Sequence, residues 1–414
     1  MEFKKVKLGE IGKIVGGGTP KTKEESYYGG KIAWITPKDL SLNKSKYIFY
    51  GERNITEEGL KNSSAKLLPK GTVLFSSRAP IGYVAIAGND LATNQGFKSV
   101  ILAENVDSEF IYYLLINNVE NIKNFGVGST FREVSGSVMK NIEVMIPDFS
   151  IQRKIAKILN TLDSKIEINN KIISNLESQA QAIFKSWFVD FEPFQDGEFV
   201  ESELGMIPEG WEVKKVNEIC DLKIGRTPPR KESEWFSLKE GVKWVSIKDL
   251  GLSQMYISEV TEYLTEESIE KFNIPIVEEN TLLLSFKLTV GRIAITTEKM
   301  CTNEAIAQFK DPLISTLFLF YYFKNFKFET LGNTSSIGNA VNSKIIKNIE
   351  VLVPPEKIVL KVMKMIEPLS ICIRNLLNQN TKLAEMRDAL LPKLMAGEID
   401  VSNIKIEGEE VKNE

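Results

Sequence analysis

Three short stretches and one scattered set of residues in this chain have types that could do chemistry. Gly16-Gly-Gly-Thr-Pro-Lys-Thr22 resembles a phosphate-binding loop. It lacks the G-x-x-x-x-G-K-[ST] spacing that brings several backbone amides and a lysine onto one phosphate chain. The corresponding stretch later in the chain reads Ile224-Gly-Arg-Thr-Pro-Pro229, so a turn is the better reading. Pro147-Asp148 followed by Asp163-Ser164-Lys165 imitates the acidic cluster with which a nuclease holds magnesium. Asp163 and Lys165, however, lie in a segment with helical periodicity, and the later copy has Ser370 in place of Asp163. Val353-Pro-Pro-Glu356 is not the Asn/Asp-Pro-Pro-aromatic tetrad of an amino-methyltransferase. The chain contains no histidine, which removes the commonest general base and the commonest metal ligand. Cys220, Cys301 and Cys372 are too far apart for a zinc ribbon and odd in number, so they are expected to be buried free thiols. No catalytic site, metal or cofactor is expected in this chain.

The fourth set of residues suits nucleic acid. In the first half it comprises Thr19, Lys21, Lys23, Ser76, Ser77, Arg78, Asn94, Gln95, Ser129, Thr130 and Arg132. In the second half it comprises Arg226, Thr227, Arg230, Lys231, Ser285, Lys287, Asn303, Ser335 and Ser336. Arginine reads guanine edges through two hydrogen bonds, asparagine and glutamine read adenine, and serine and threonine serve phosphates or either base. Any one of these is as easily a solvated loop residue. Their force lies in recurring at matching places.

That recurrence comes from a duplication. Trp34-Ile-Thr-Pro-Lys-Asp-Leu40 returns as Trp244-Val-Ser-Ile-Lys-Asp-Leu250, and Lys140-Asn-Ile-Glu-Val144 as Lys347-Asn-Ile-Glu-Val351. Thr72, Ser76, Gly82 and Ala85-Ile86 return as Thr281, Ser285, Gly291 and Ala294-Ile295, and Tyr112-Tyr113 as Tyr321-Tyr322. A period of roughly 208 residues is far too long for a solenoid, whose units run about 20–50 residues. The loops diverge where the framework repeats: Gln95 becomes Glu304, Arg78 becomes Lys287, and Gly16-Gly-Gly18 becomes Ile224-Gly-Arg226. Two domains that read two different things would show this pattern.

Each copy begins with mixed sequence. Gly71–Ser76 and Gly82–Ala87 are strand-like, and Ser108–Val119 is helix-like. Each copy then switches to helical period. From Ser150 to Trp187 there is no glycine or proline, and Ile151, Ile155, Ile158, Leu162, Ile166, Ile173, Leu176, Ala180, Ile183 and Trp187 step mostly by four and three. Ile358, Val362, Met365, Leu369, Ile373, Leu376, Leu383, Leu390 and Leu394 repeat the seam, with Pro368 expected to kink it. Asn169 interrupts one seam and Asn380 the other, as register-setting asparagines do. A helix of roughly 38 residues is about 57 Å long. The expected architecture is α+β, with two repeated globular domains separated by two long antiparallel coiled-coil helices. Its segments are 1–149, first domain; 150–188, first helix; 189–210, acidic linker; 211–354, second domain; 355–396, second helix; and 397–414, acidic tail.

The net charge of −3 excludes a uniform polyanion-binding surface. The acidity is concentrated, since residues 188–210 carry no Lys or Arg against 7 Asp and Glu. The longest apolar run, Leu313 to Phe323, is about half the ~20 residues of a membrane span. A soluble, cytoplasmic protein is expected.

Taken with Thr-Pro near each domain start, Asn94-Gln-Gly-Phe97, Gln152-Arg-Lys-Ile-Ala156, Gln179–Phe188 and Leu390–Ile399, the duplicated plan resembles the specificity subunit of type I restriction–modification systems. The resemblance covers essentially the whole chain. It implies that each globular domain is a target recognition domain for half of a split double-stranded DNA site. It implies helices that set the gap and dock two methyltransferase subunits, and motor-nuclease subunits that join for cleavage. S-adenosylmethionine would belong to the methyltransferase partners. A coiled-coil protein–protein scaffold without sequence-specific DNA binding is the competing reading.

Overall fold

A computed structural model describes residues 1–43, 45–127, 132–331 and 341–404. The chain divides into two compact units, one of residues 1–168 with 380–414 and one of residues 169–379. Both divisions fall inside the long helices rather than at their ends. Each globular domain is sealed by the beginning of one helix and the end of the other, so contacts cluster by domain.

The two units repeat one topology. In the first, a five-stranded sheet runs Gly12–Gly16, Lys98–Leu102, Val73–Phe75, Val84–Ala87, Tyr47–Ile48. Its counterpart runs Asp221–Ile224, Ile306–Lys310, Leu282–Ser285, Ile293–Thr296, Tyr256–Ile257. Register is kept as well as order, since Tyr47 faces Ile86 and Tyr256 faces Ile295. A second sheet in each unit is built on Tyr28–Ile35 or Val242–Val245, and a terminal strand pair closes each domain. The central strands Val73–Phe75 and Leu282–Ser285 are short and buried on both faces, as their continuous apolar runs require.

The helix expected at Ser108–Val119 extends to Asn124, with Asp107 accepting from the Phe110 amide at 2.8 Å as its N-cap. The long helices span Phe149–Phe188 and Glu356–Met395. In each unit their segments run antiparallel. Ile155 and Leu159 share a core with Leu391, Leu394 and Met395 in the first. Ile173, Ala180, Phe184 and Phe188 share one with Val359, Val362, Ile366 and Ile373 in the second. The second helix continues unbroken through Pro368. Asn169 is fully buried, and its amide donates to Gln379 at 2.8 Å, which fixes a polar register mark in the seam.

The acidic stretch after the first helix is folded. Phe199–Ser202 and Gly205–Pro208 form a hairpin, and Phe191, Phe194, Ile207 and Trp211 pack into the second unit's core. Its acidic side chains face outward while its aromatics face in. At the C-terminus, Val401 is buried and Ile399 packs in the first unit, and the acidic tail from residue 405 lies outside the described residues.

The cysteines depart from expectation at one position. Cys220 and Cys301 are buried, and burial pushes both thiols up to about 12, but Cys372 is exposed on the outer face of the second helix.

Candidate nucleic-acid interface

Four segments meet at one end of the first domain's main sheet. The antiparallel pairing that ends at Gly16 and Lys98 brings the Thr-Pro loop against residues 94–97. The Thr19 hydroxyl donates to the Gln95 side-chain oxygen. The Gly18 amide donates to the Thr93 carbonyl at 2.9 Å. Ser77 donates its amide to the Gly96 carbonyl at 2.7 Å, and Val134 donates to the Ser77 carbonyl at 3.0 Å. Residues scattered over more than a hundred positions of sequence thus form one rim. Gly17 explains why a glycine is needed there, because an added Cβ would lie 2.0 Å from the Asn94 carbonyl oxygen.

The second domain repeats the stitching with other side chains. The Thr227 hydroxyl donates to a Glu304 carboxylate oxygen, Arg226 donates its amide to Thr302 at 2.9 Å, and Phe286 donates to Ala305 at 2.9 Å. An added Cβ on Gly225 would lie 2.1 Å from Thr302 Oγ1. In both copies a tryptophan braces the Thr-Pro loop from beneath: Trp34 Nε1 donates to Gly18 O at 3.0 Å and Trp244 Nε1 to Arg226 O at 3.2 Å.

Several residues expected at the DNA face prove to be framework. Ser76 and Ser285 are fully buried. Ser76 Oγ donates to Pro80 O and accepts from the Tyr83 amide, both at 2.8 Å, and Ser285 Oγ bridges Thr289 O and the Arg292 amide at 2.6 and 3.0 Å. These hydroxyls close a turn. Ser77 is buried too, its hydroxyl donating to Gly96 O at 3.1 Å. Asn94 and Asn303 accept from the amides of Gly96 and Ala305 at 2.9 and 3.0 Å, which are matching Asx turns. Arg230 is exposed, but its Nη1 donates to both oxygens of Glu262 at 2.8 and 2.9 Å, so its charge is already paired with an acid. Ser76 and Ser285, like Asn94 and Asn303, recur in matching places because the turns they close recur.

The remaining candidates present side chains to solvent. Lys21, Lys23, Arg132, Arg226, Lys231 and Lys287 are exposed, and Gln95 is exposed at the rim. Arg226 Nη1 donates to Phe272 O at 3.2 Å, and Lys287 Nζ lies 5.6 Å from the Phe286 ring centre. Arg78 pairs with Glu133 at 3.1 Å, and Lys98 reaches the other oxygen of the same carboxylate at 3.0 Å. Partial burial pushes the Glu133 carboxyl up, but Lys98 and then Arg78 outweigh it and hold it below its usual range. This brace therefore contributes stability above the ordinary carboxylate range and loses it as pH falls through the lowered value. Ser129, Thr130, Ser335 and Ser336 lie outside the described residues.

The nuclease-like acid has a structural occupation. Asp163 accepts from the Tyr113 hydroxyl and from Arg387 Nη1 at 2.9 Å, which ties the first domain's helix to both long helices of its unit. Sequence reasoning also passed over Asp39 and Asp249. Each is buried and receives the backbone of the loop that follows, Glu52 N at 2.8 Å and Thr261 N at 3.1 Å. Their recurrence in Lys-Asp-Leu was the available signal. Among the described residues no group of three or more His, Cys, Asp or Glu could hold a metal, and no helix is long and apolar enough to cross a membrane.

A twice-built α+β reader, braced in each copy by antiparallel helix segments and carrying different side chains on the same rim, defines a class of two-part recognition proteins. The type I restriction modification DNA specificity domain matches residues 1–178 and again 208–385. The MjaIX type I restriction enzyme specificity subunit of Methanocaldococcus jannaschii is 36% identical over 97% of this chain and 94% of its own length. The HindI specificity subunit of Haemophilus influenzae is 26% identical over 89% of this chain and 94% of its own. The crystal structure of the S subunit from M. genitalium shares the fold, with a TM-score of 0.56 at 16% identity over 95% of this chain and 96% of that one. The chain belongs to the family of type I restriction–modification DNA specificity subunits, whose part is recognition rather than catalysis.

Proposed function

We propose that each domain reads one half of a bipartite, asymmetric double-stranded DNA site through its stitched rim. The long helices set the spacing of the half-sites and dock two methyltransferase subunits, and motor-nuclease subunits complete the restriction complex. S-adenosylmethionine belongs to the methyltransferase partners. The observation that carries this reading is the repeated loop stitching with exchanged side chains: Thr19–Gln95 in one copy and Thr227–Glu304 in the other. A constant frame with variable contact groups is what two separate base readouts need, since a glutamine suits adenine and a glutamate accepts from cytosine. The contacting residues in this reading are Thr19, Lys21, Lys23, Arg78, Gln95, Arg132, Arg226, Thr227, Lys231 and Lys287, with Glu304 at the place of Gln95.

The test is co-expression with the methyltransferase subunit of its system, followed by methylation-sensitive sequencing of host DNA. A split motif with a constant unspecified gap is the expected result. A stable complex that methylates no motif would favour the protein–protein scaffold instead.

A second prediction follows from the carboxylate between Arg78 and Lys98. Glu133→Gln removes a negative charge facing phosphate and frees two cations, so DNA affinity at low salt is expected to rise about two- to fivefold, the range of an exposed ion pair. The slope of log affinity against log salt should steepen by up to about one. Fluorescence anisotropy across a salt series measures both, and weaker binding by the variant would show that Glu133 positions Arg78 rather than restrains it.

A further inference from the structure

The two domains hold a guanidinium on the same aromatic shelf but draw it from different places in the chain. Tyr28 and Trp34 meet edge-on, with ring centres 6.1 Å apart at 75°. Phe236 and Trp244 repeat this at 5.9 Å and 77°. In the first domain Arg53, paired across the strands with Trp34, lies 4.1 Å over the Tyr28 ring. In the second, the residue paired with Trp244 is Glu262, an acid. The guanidinium there is Arg230, arriving from the Thr-Pro loop to lie 4.4 Å from Phe236 and 4.5 Å from Trp244. The first copy has Thr22 at that loop position.

What differs is the charge beside the guanidinium. Arg230 Nη1 donates to both oxygens of Glu262, so an acid neutralises this guanidinium and holds one of its nitrogens. Arg53 is exposed, and among the described residues no carboxylate pairs with it, its neighbour Glu52 being held by Lys38 at 2.6 Å. The shelf beneath Arg53 is joined to the rim, because the Tyr28 hydroxyl donates to Pro20 O at 2.9 Å, next to Thr19. Beside it lies an open hollow of about 470 Å³, bordered by Gly29, Gly30, Tyr50 and Asn54. Tyr50 stands 71% exposed there. Ring stacking fixes the plane of a guanidinium while leaving its edge to donate, which lowers the entropy lost when it pairs. An oriented, unfilled fork is the donor geometry that matches guanine O6 and N7.

We propose that Arg53 is a specificity-determining DNA contact of the first domain, reading a guanine, and that Glu262 silences the equivalent guanidinium in the second. The inference rests on the DNA-reading function proposed above.

The experiment is selection from DNA with both half-sites randomised, using the chain assembled with its methyltransferase subunits. Wild type, R53A, R53K and R230A are compared. R53A is expected to lower discrimination at one G·C pair of one half-site by roughly 5- to 150-fold, the range of a good bidentate pair. R53K, which keeps the charge and the fold but not the fork, loses discrimination at the same pair to a smaller extent. The other half-site serves as the folding control and stays unchanged, and R230A leaves both motifs as they are. If R53A and R53K both keep the wild-type motif, or lower affinity equally for every sequence with a shallower salt slope, Arg53 is not a base reader. A wild-type complex that selects no motif would overturn the DNA-reading function itself, a result separable from the failure of Arg53 alone.

Discussion

Phe184→Ala is expected to lower the unfolding free energy of the second unit by about 3–5 kcal/mol, the range for removing a buried aromatic ring. Phe184 sits on the first long helix and is 1% exposed. Its ring lies 4.9 Å from Phe188, 5.3 Å from Phe318 and 5.8 Å from Tyr321, so it joins the helix to the second globular domain. Aromatic neighbours this large and rigid cannot collapse into the space left behind, which places the cost toward the upper end. Urea unfolding of the full chain followed by tryptophan fluorescence measures it, with Trp187 and Trp211 close by as probes. A loss under about 1 kcal/mol would mean that the helix is not held through this ring. In the DNA-reading proposal the variant should also weaken selection of the second domain's half-site while the first domain's motif persists.

Glu109→Ala should cost about 3–5 kcal/mol in the first unit by stranding a buried cation. The Lys46 ammonium, with 4% of its side chain exposed, lies 2.7 Å from Glu109 and 2.5 Å from Asn160 on the first long helix. Tyr47 also donates to Glu109 at 2.7 Å. Removing the carboxylate leaves an ammonium out of water with one amide oxygen and the rings of Tyr47 and Tyr113, 5.4 and 5.5 Å away. The second copy shows another solution at the same place. Its residues matching Lys46 and Glu109 are Met255 and Phe318, both buried and both in the unit's apolar core. The double change Lys46→Met with Glu109→Phe is therefore expected to recover most of the stability that Glu109→Ala loses, because a well-packed apolar pair commonly equals a buried ion pair. Denaturant midpoints of the single and double variants decide it. A double variant no more stable than Glu109→Ala would show that the ion pair has no apolar equivalent in the first unit.

The same comparison of copies shows where sequence reading succeeds. Long helices were legible because one-sided burial imposes a period near 3.6, and the central strands because burial on both faces leaves short continuous apolar runs that survive duplication, as at Val73–Phe75 and Leu282–Ser285. The rim was legible in part. Recurrence picked out the Thr-Pro and Asn-Gln loops, which only the fold brings together, but it could not separate residues that recur to close turns, such as Ser76 and Asn94, from those that face solvent. Arg53 was missed for the opposite reason. Its repeat partner is Glu262, so a search for matching residues passes over it, and the equivalence of Arg53 with Arg230 exists only in space.

The helix seam was also only half visible. The list of four-and-three steps includes Ile155, Ile173 and Ala180, all buried, but omits Leu159, Phe184 and Phe188, which are buried as deeply. A single stripe assumes a single partner. These helices pack against one another on one face and against a globular domain on another.

By itself the sequence determined the duplication, the α+β character of each copy, the two long helices and the divergence of the rim. Those are properties of order and period along the chain, and local physics translates them directly. The tertiary structure decided which polar groups are occupied: Asp163 by Tyr113 and Arg387, Ser76 by its own turn, Arg230 by Glu262. Whether a donor is spent or available depends on partners brought within about 3 Å by folding, and no spacing along the chain records that.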